Sequence, residues 1–153
     1  MTDITIRPLR DEDIPELTEI ESESFSMPWS ADDFRHLLEV SDAIYLVAVF
    51  DGAVFGSAGM RIICGEGNID NVVVRQSARG QGIGTRLIMS LLAEGRRNGA
   101  NAFTLEVRKS NTPAIKLYEN AGFESAGIRP NFYERPTEDA IIYWLRDQDP
   151  IET

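Results

Sequence analysis

The sequence predicts an α/β fold: a mixed central β-sheet flanked by helices, with elements in the order β-α-α-β-β-β-α-β-α-β-β. Three observations predict it. Short apolar runs alternate with segments whose apolar residues recur every three or four positions. Two of the runs, 44–50 and 54–63, meet at Asp51-Gly52, a hairpin signal. Finally, Val72-Val73-Val74 enters a basic, glycine-dense turn that opens directly into an amphipathic helix.

Residues 4–9 alternate and read as the first strand. Residues 11–25 read as a helix, with acidic residues in the first turn and apolar Ile14, Leu17 and Ile20. Met27-Pro28-Trp29 breaks that helix. Ser30-x-x-Asp33 then reads as a capping box, with aspartate's shorter reach in place of glutamate's, ahead of Phe34, Leu37 and Leu38. After the hairpin, 68–74 is the next strand. The helix beyond the glycine turn carries Ile83, Leu87, Ile88, Leu91 and Leu92 at helical spacing, and ends with Arg96, Arg97 and a C′ glycine, Gly99. Residues 102–108 form a strand with Phe103, Leu105 and Val107 on one face and Thr104, Glu106 and Arg108 on the other. Thr112-Pro113 opens a short helix that Gly122 stops. Two terminal strands lie around 123–128 and 140–145. No repeat, low-complexity block or linker divides the chain, so residues 1–153 read as one domain.

Hydrophobic content of 42% and charged content of 26% are those of a soluble globular protein. No apolar run approaches the roughly 18 residues that cross a bilayer. The first residues, Met1-Thr2-Asp3-Ile4, lack the basic start and apolar block of a signal peptide, so a cytoplasmic protein with no membrane partner is expected. The single cysteine, Cys64, has no partner for an internal disulfide, and its place in an apolar strand pattern reads as a small core residue. A net charge of −10 opposes direct nucleic-acid binding and suits a cationic partner.

The turn Arg79-Gly80-Gln81-Gly82-Ile83-Gly84-Thr85 has the character of an anion site. Backbone N–H groups at a helix start are unpaired, the helix dipole favours negative charge there, and glycines let a phosphate come close. A P-loop would require a lysine, and this turn has none; a dinucleotide fingerprint would require glycine at position 85, which is threonine. A glycine-rich turn without a ligand is the plain alternative on these residues alone. What fits is Arg79-x-x-Gly82-x-Gly84 after a Val-rich strand, which resembles the pyrophosphate signature of the GNAT superfamily of N-acetyltransferases.

Further residues extend that resemblance. They are Pro28-Trp29-Ser30, Leu105-Glu106-Val107-Arg108-Lys109-Ser110-Asn111, Ala114-Ile115-Lys116-Leu117-Tyr118-Glu119, Gly122-Phe123, Asn131-Phe132-Tyr133 and Glu138-Asp139-Ala140-Ile141-Ile142. Together they resemble the RimI family, the ribosomal-protein-alanine N-acetyltransferases. The resemblance implies a GNAT fold and acetyl-coenzyme A as cosubstrate. Carried over by position, it puts the general base at Glu106 and the general acid at Tyr118. The backbone of Val72, Val73 and Val74 would bind the pantetheine arm and acetyl carbonyl. Arg79 and the loop Gly80, Gln81, Gly82, Ile83, Gly84 and Thr85 would hold the pyrophosphate, with Asn111 contacting the cofactor. Strands splayed after Val74 and Glu106 would form the pantetheine slot. The family's architecture also makes Trp29, Asn131 and Tyr133 an acceptor wall, although Trp29 reads equally as a hydrophobic staple on the second helix. The loop 134–138 is shorter than in some relatives, which bears on acceptor identity.

The resemblance implies acetylation of a protein N-terminal α-amine, the acceptor being the N-terminal alanine of ribosomal protein S18. An α-amine is roughly 300-fold more often neutral than a lysine at neutral pH. Glu106 would complete deprotonation, directly or through water, and the phenol of Tyr118 would serve the departing thiolate. The only histidine, His36, lies on an early helix as a surface or packing residue, so no Ser/His/Asp arrangement is present; without a Cys/His cluster no metal is expected. Direct transfer in a ternary complex follows. The alternatives are a GNAT enzyme for a lysine, polyamine or small amine, and a non-catalytic acyl-coenzyme A sensor.

Overall fold

A computed structural model of the chain describes residues 3–25 and 28–147. The element order is the expected one: β1 (Thr5–Pro8), a 3-10 turn (Asp11–Asp13), α1 (Ile14–Ser24), α2 (Ala31–Glu39), β2 (Ala43–Phe50), β3 (Ala53–Ile63), β4 (Glu66–Val74), a second 3-10 turn (Gln76–Ala78), α3 (Ile83–Arg97), β5 (Ala102–Arg108), α4 (Thr112–Asn120), β6 (Glu124–Tyr133) and β7 (Glu138–Arg146). Met27, part of the expected helix break, lies outside the described residues.

The strands form one sheet in the order β1-β2-β3-β4-β5-β7-β6. Each face carries its own core. Ile83, Leu87, Ile88, Leu91 and Leu92 of α3 bury their stripe against one face, with Phe103, Leu105 and Val107 of β5 and Tyr118 of α4. Each of those aliphatic side chains contributes roughly 1.5–3 kcal/mol by leaving water. Leu17 and Ile20 of α1 and Phe34 of α2 cover the other face, over Val47, Val54 and Val73.

Every pairing in the sheet is antiparallel except β4 with β5. That parallel contact is brief: Glu66, Gly67 and Asn68 pair with Ala102, Phe103 and Thr104, and the two strands then part. The ring of Phe103 fills the junction. A Cβ on Gly67 or on Gly95 would come within 2.7 Å of that ring, so both positions need glycine for close approach. Beyond the junction, β4 keeps its ladder with β3 while β5 keeps its ladder with β7, which opens a wedge between them. A β-bulge adds one residue to β4: Gly59 faces Asn71 but Met60 faces Ile69, leaving Asp70 as the extra residue.

Several local expectations change. The helix expected over 11–25 divides into a 3-10 turn and α1. Pro15 has no N–H to continue the first turn, and the Asp13 carboxylate is drawn away from it. It accepts two bonds from Arg7 (2.7 and 2.8 Å) and one from the Arg10 N–H (2.8 Å). Burial pushes the Asp13 carboxyl up, but the Arg7 and Arg10 bonds outweigh it and hold it below the ordinary range. Cys64 is exposed, which corrects its reading as a core residue. It stands at φ 51° in the turn that joins β3 to β4, past the point where the helices cover the sheet. Strand β4 starts two residues early because Glu66 joins the pairing with β5, and β6 runs on to Tyr133.

Candidate active site

The glycine turn has the geometry an anion needs. Gly80 (φ +81°) and Gly82 (φ +79°) occupy left-handed backbone, and a Cβ at either would meet nothing within 4 Å. The backbone conformation, rather than crowding, is therefore what demands glycine there. Gly84 has no such φ; a Cβ there would rest on Leu117 at 3.4 Å and Val74 at 3.7 Å. Gly82 is also the N-cap of α3 and supplies no capping side chain. In α2 and α4 the caps Ser30 and Asn111 accept from a first-turn N–H. Helix α3 thus presents its N-terminal donors, Ile83 to Thr85 among them, to the end of the wedge.

The Arg75 N–H donates to the Phe55 carbonyl (2.7 Å), which fixes the phase of the β3–β4 ladder. Alternation then turns the backbone of Val73 toward β3 and the N–H and C=O of Val72 and Val74 toward the wedge. Val72 and Val74 thus face the wedge, and Val73 faces β3. Val73 pairs in the ladder and buries its side chain under α1. Arg79 turns back on the protein, donating to the Val74 carbonyl (3.1 Å) and to Ser24 Oγ (3.0 Å). It braces the turn against β4 and α1. Asn111 Oδ1 accepts from the Ala114 N–H (3.3 Å), so its amide N–H pair is what it has left for a ligand.

Glu106 stands on β5 beside the opening, and Tyr118 on α4, the helix that follows β5. Glu106 points away from Phe103, Leu105 and Val107, is half-buried, and has Arg129 Nη2 at 3.8 Å in a solvent-screened ion pair. Tyr118 is buried in α4, its ring edge-on to Phe123 at 5.9 Å. Burial, reinforced by the neighbouring Tyr133, raises its phenol well above the ordinary value, so it keeps its proton at neutral pH. The Tyr133 phenol is pushed up to about 12 by burial, with the Glu106 charge adding and Arg108 opposing. Tyr133 therefore lies within electrostatic reach of both Glu106 and Tyr118.

The three residues expected to form the acceptor wall sit in two places. Trp29 precedes the cap Ser30 and meets Phe34 in the first turn of α2 (5.4 Å between centroids), which makes it the hydrophobic staple. It also lines a groove of about 370 Å³ with Asp33, His36, Leu37, Arg61 and Asp70. Its backbone N–H donates to the buried Glu21 (3.1 Å). On the other side Asn131, at φ 54°, donates its N–H to Asp139 (3.0 Å). Arg108 holds the β6–β7 loop: it donates to the carbonyls of Glu134 (2.8 Å) and Pro136 (2.9 Å), and its guanidinium lies 4.5 Å from the Tyr133 ring centroid. Hydrogen bonding from Ser110, then Arg108, holds the Glu138 carboxyl below its ordinary range against a smaller opposing effect of burial. Sequence reasoning left Arg108 and Glu21 without these tasks and did not single out Asp70. Their partners lie on distant segments, and no local pattern reveals them.

Among the described residues no helix is long and apolar enough to cross a membrane, and no three His, Cys, Asp or Glu side chains gather to hold a metal. Comparison with known proteins gives the family. Residues 14–123 match the acetyltransferase (GNAT) family. A Bacillus subtilis (strain 168) protein, provisionally named a ribosomal protein bS18-alanine N-acetyltransferase, is 40% identical over 145 residues, 94% of this chain and 96% of that one. The crystal structure of the Escherichia coli ribosomal-protein-S18-alanine N-acetyltransferase superposes with a TM-score of 0.88 at 31% identity, covering 98% of each chain. A Salmonella typhimurium protein solved with its cofactor acetyl-coenzyme A shares the fold, with a TM-score of 0.83 at 20% identity over 99% of this chain and 98% of that one. The chain belongs to the GNAT family and is an N-acetyltransferase of the RimI-like kind.

Proposed function

We propose that this enzyme acetylates the N-terminal α-amine of a protein, with the alanine of ribosomal protein bS18 as acceptor, by direct transfer with both substrates bound. The observation that carries the reading is the wedge that opens where β4 and β5 part after Asn68, together with Glu106 on β5, Tyr118 buried on α4 and the start of α3 without a capping side chain. The residues fit acetyl-coenzyme A: the amides from Gly80 to Thr85 would take the pyrophosphate, and the outward backbone groups of Val72 and Val74 the arm and the acetyl oxygen. When bound, that molecule supplies the thioester carbonyl that the amine attacks. Glu106 accepts the amine proton, directly or through water. Tyr118 presents its O–H to the sulfur. A thiol ionises near 8.5, well below this buried phenol, so Tyr118 acts first as a hydrogen-bond donor that stabilises the thiolate.

The net charge of −10 favours a cationic acceptor such as a ribosomal tail. We place the reaction in the cytoplasm, where such tails are made and the single Cys64 stays reduced. Short peptides with free or blocked N-termini, some bearing a lysine, test the acceptor class. Acetylation of free α-amines is the expected result; acetylation of the blocked, lysine-bearing peptide alone would overturn it.

A further inference from the structure

Among the described residues no hydrogen bond holds the Glu106 carboxylate, and its one ion partner is Arg129, whose Nη2 lies 3.8 Å from Oε1. A glutamate head left to itself samples several rotamers, whereas a general base has to be aimed. The sheet lets Arg129 reach it. Arg108 of β5 faces Ala140 of β7, and Ala140 faces Arg129 of β6; in the next row Glu106 faces Ile142, and Ile142 faces Gly127. Ala140 is small and buried, and Gly127 has no side chain, so a long side chain from β6 can cross β7 diagonally to β5. The guanidinium is itself held. It lies 5.6 Å from the Phe132 ring centroid, Phe132 meets Tyr133 edge-on at 5.0 Å, and Tyr133 carries the Arg108 guanidinium at 4.5 Å. Arg108 in turn grips the 134–138 loop, so this row of cations and rings ties Arg129 to the hairpin.

We propose that Arg129 is a positioning residue for the general base, holding the Glu106 carboxylate in place for the acceptor amine; the proposal rests on Glu106 being the base, as read above. At 3.8 Å the guanidinium supplies charge without a hydrogen bond, so both carboxylate oxygens keep their lone pairs for the amine or its water. Its charge also offsets that of Asp70, which lies within electrostatic reach of Glu106 from β4. Arg108, the cation nearest along β5, is engaged elsewhere, by the carbonyls of Glu134 and Pro136 and by the Glu138 carboxylate. Arg129 is exposed, so replacing it leaves both cores untouched.

Steady-state kinetics on a peptide with a free N-terminus test this in the unmodified enzyme, Arg129→Gln, Glu106→Gln and the double variant. Arg129→Gln should lower kcat by about threefold to fivefold, the worth of a partly exposed ion pair, with coenzyme A affinity and the thermal midpoint retained. Arg129→Lys keeps the charge but loses the flat stack on Phe132, and should recover part of that loss. In the Glu106→Gln background the same Arg129→Gln change should cost nothing further, because no carboxylate is left to hold. Unchanged or higher kcat in Arg129→Gln would overturn the proposal while leaving Glu106 as the base. An equal loss in both backgrounds would overturn it too, since it marks a structural effect on the hairpin. Full activity of Glu106→Gln would instead remove the base, and this role with it.

Discussion

The two sides of the cleft differ in what they offer a ligand. On the side of β4, the glycine turn and α3, the groups on offer are backbone amides and carbonyls, placed by left-handed glycines and by strands that part after Asn68. On the side of the α1–α2 turn and the β6–β7 hairpin, they are side chains that stand on backbone pinned by other side chains: the Trp29 N–H by Glu21, the Asn131 N–H by Asp139, the 134–138 carbonyls by Arg108. A phosphate needs several donors in one place and little else, so backbone suffices. An acceptor peptide has to be told from other peptides, and that takes side chains whose identity can vary without disturbing the sheet.

Variants at the junction of the two sides should show the largest effects. Glu106→Gln should lower kcat by about 10²–10⁴ with coenzyme A affinity nearly intact, most severely at low pH; stopped-flow turnover across pH checks this, and unchanged rates would remove Glu106 as the base. Tyr118→Phe should slow thiol release by about ten- to a hundredfold, since it deletes one hydrogen bond to a charged sulfur. A fully active variant would assign that task to water.

The next effects separate the sides. Gly82→Ala forces a side chain into left-handed backbone and should cost about 1–2 kcal/mol in thermal stability. It should also weaken coenzyme A binding and leave KM for the peptide unmoved. Arg108→Met releases the 134–138 loop and should do the opposite, raising peptide KM about threefold to tenfold with coenzyme A affinity retained. If both variants moved both constants alike, the division of labour would be wrong.

The smallest effect is a pH signature on the acceptor side. Asp70 ionises near 6 in the folded chain against an ordinary 3.8, so the folded state holds a proton that the unfolded state has lost between those values. Stability from this group is therefore full below about pH 4 and falls as pH rises through 6. Asp70→Asn should match the unmodified chain below about pH 4 and exceed it above pH 6 by on the order of 1 kcal/mol, after allowance for solvent screening at this accessible residue. Denaturant melts at pH 4 and 7 read the difference.

The same contrast explains which features were legible in the sequence. The glycine spacing of the turn, the capping box at Ser30 and Asp33, and the alternation that turns Glu106 outward all act within a few residues. Their pattern is visible in the chain. The bulge at Asp70 depends on a register set by β3 and β5, and Arg108 reaches carbonyls 26 and 28 residues away. Neither leaves a local trace. Cys64 shows the reverse error: an apolar run continued past the point where helices cover the sheet, so periodicity suggested a core that tertiary structure does not supply.

The most direct measurement is calorimetric titration of the enzyme with coenzyme A and, separately, with pantetheine, which shares the arm and thiol but lacks the pyrophosphate. Backbone donors at the start of α3 predict that coenzyme A binds at least about a hundredfold more tightly, the difference expected from a few charge-assisted hydrogen bonds. Equal affinities, or no heat with coenzyme A, would contradict the account.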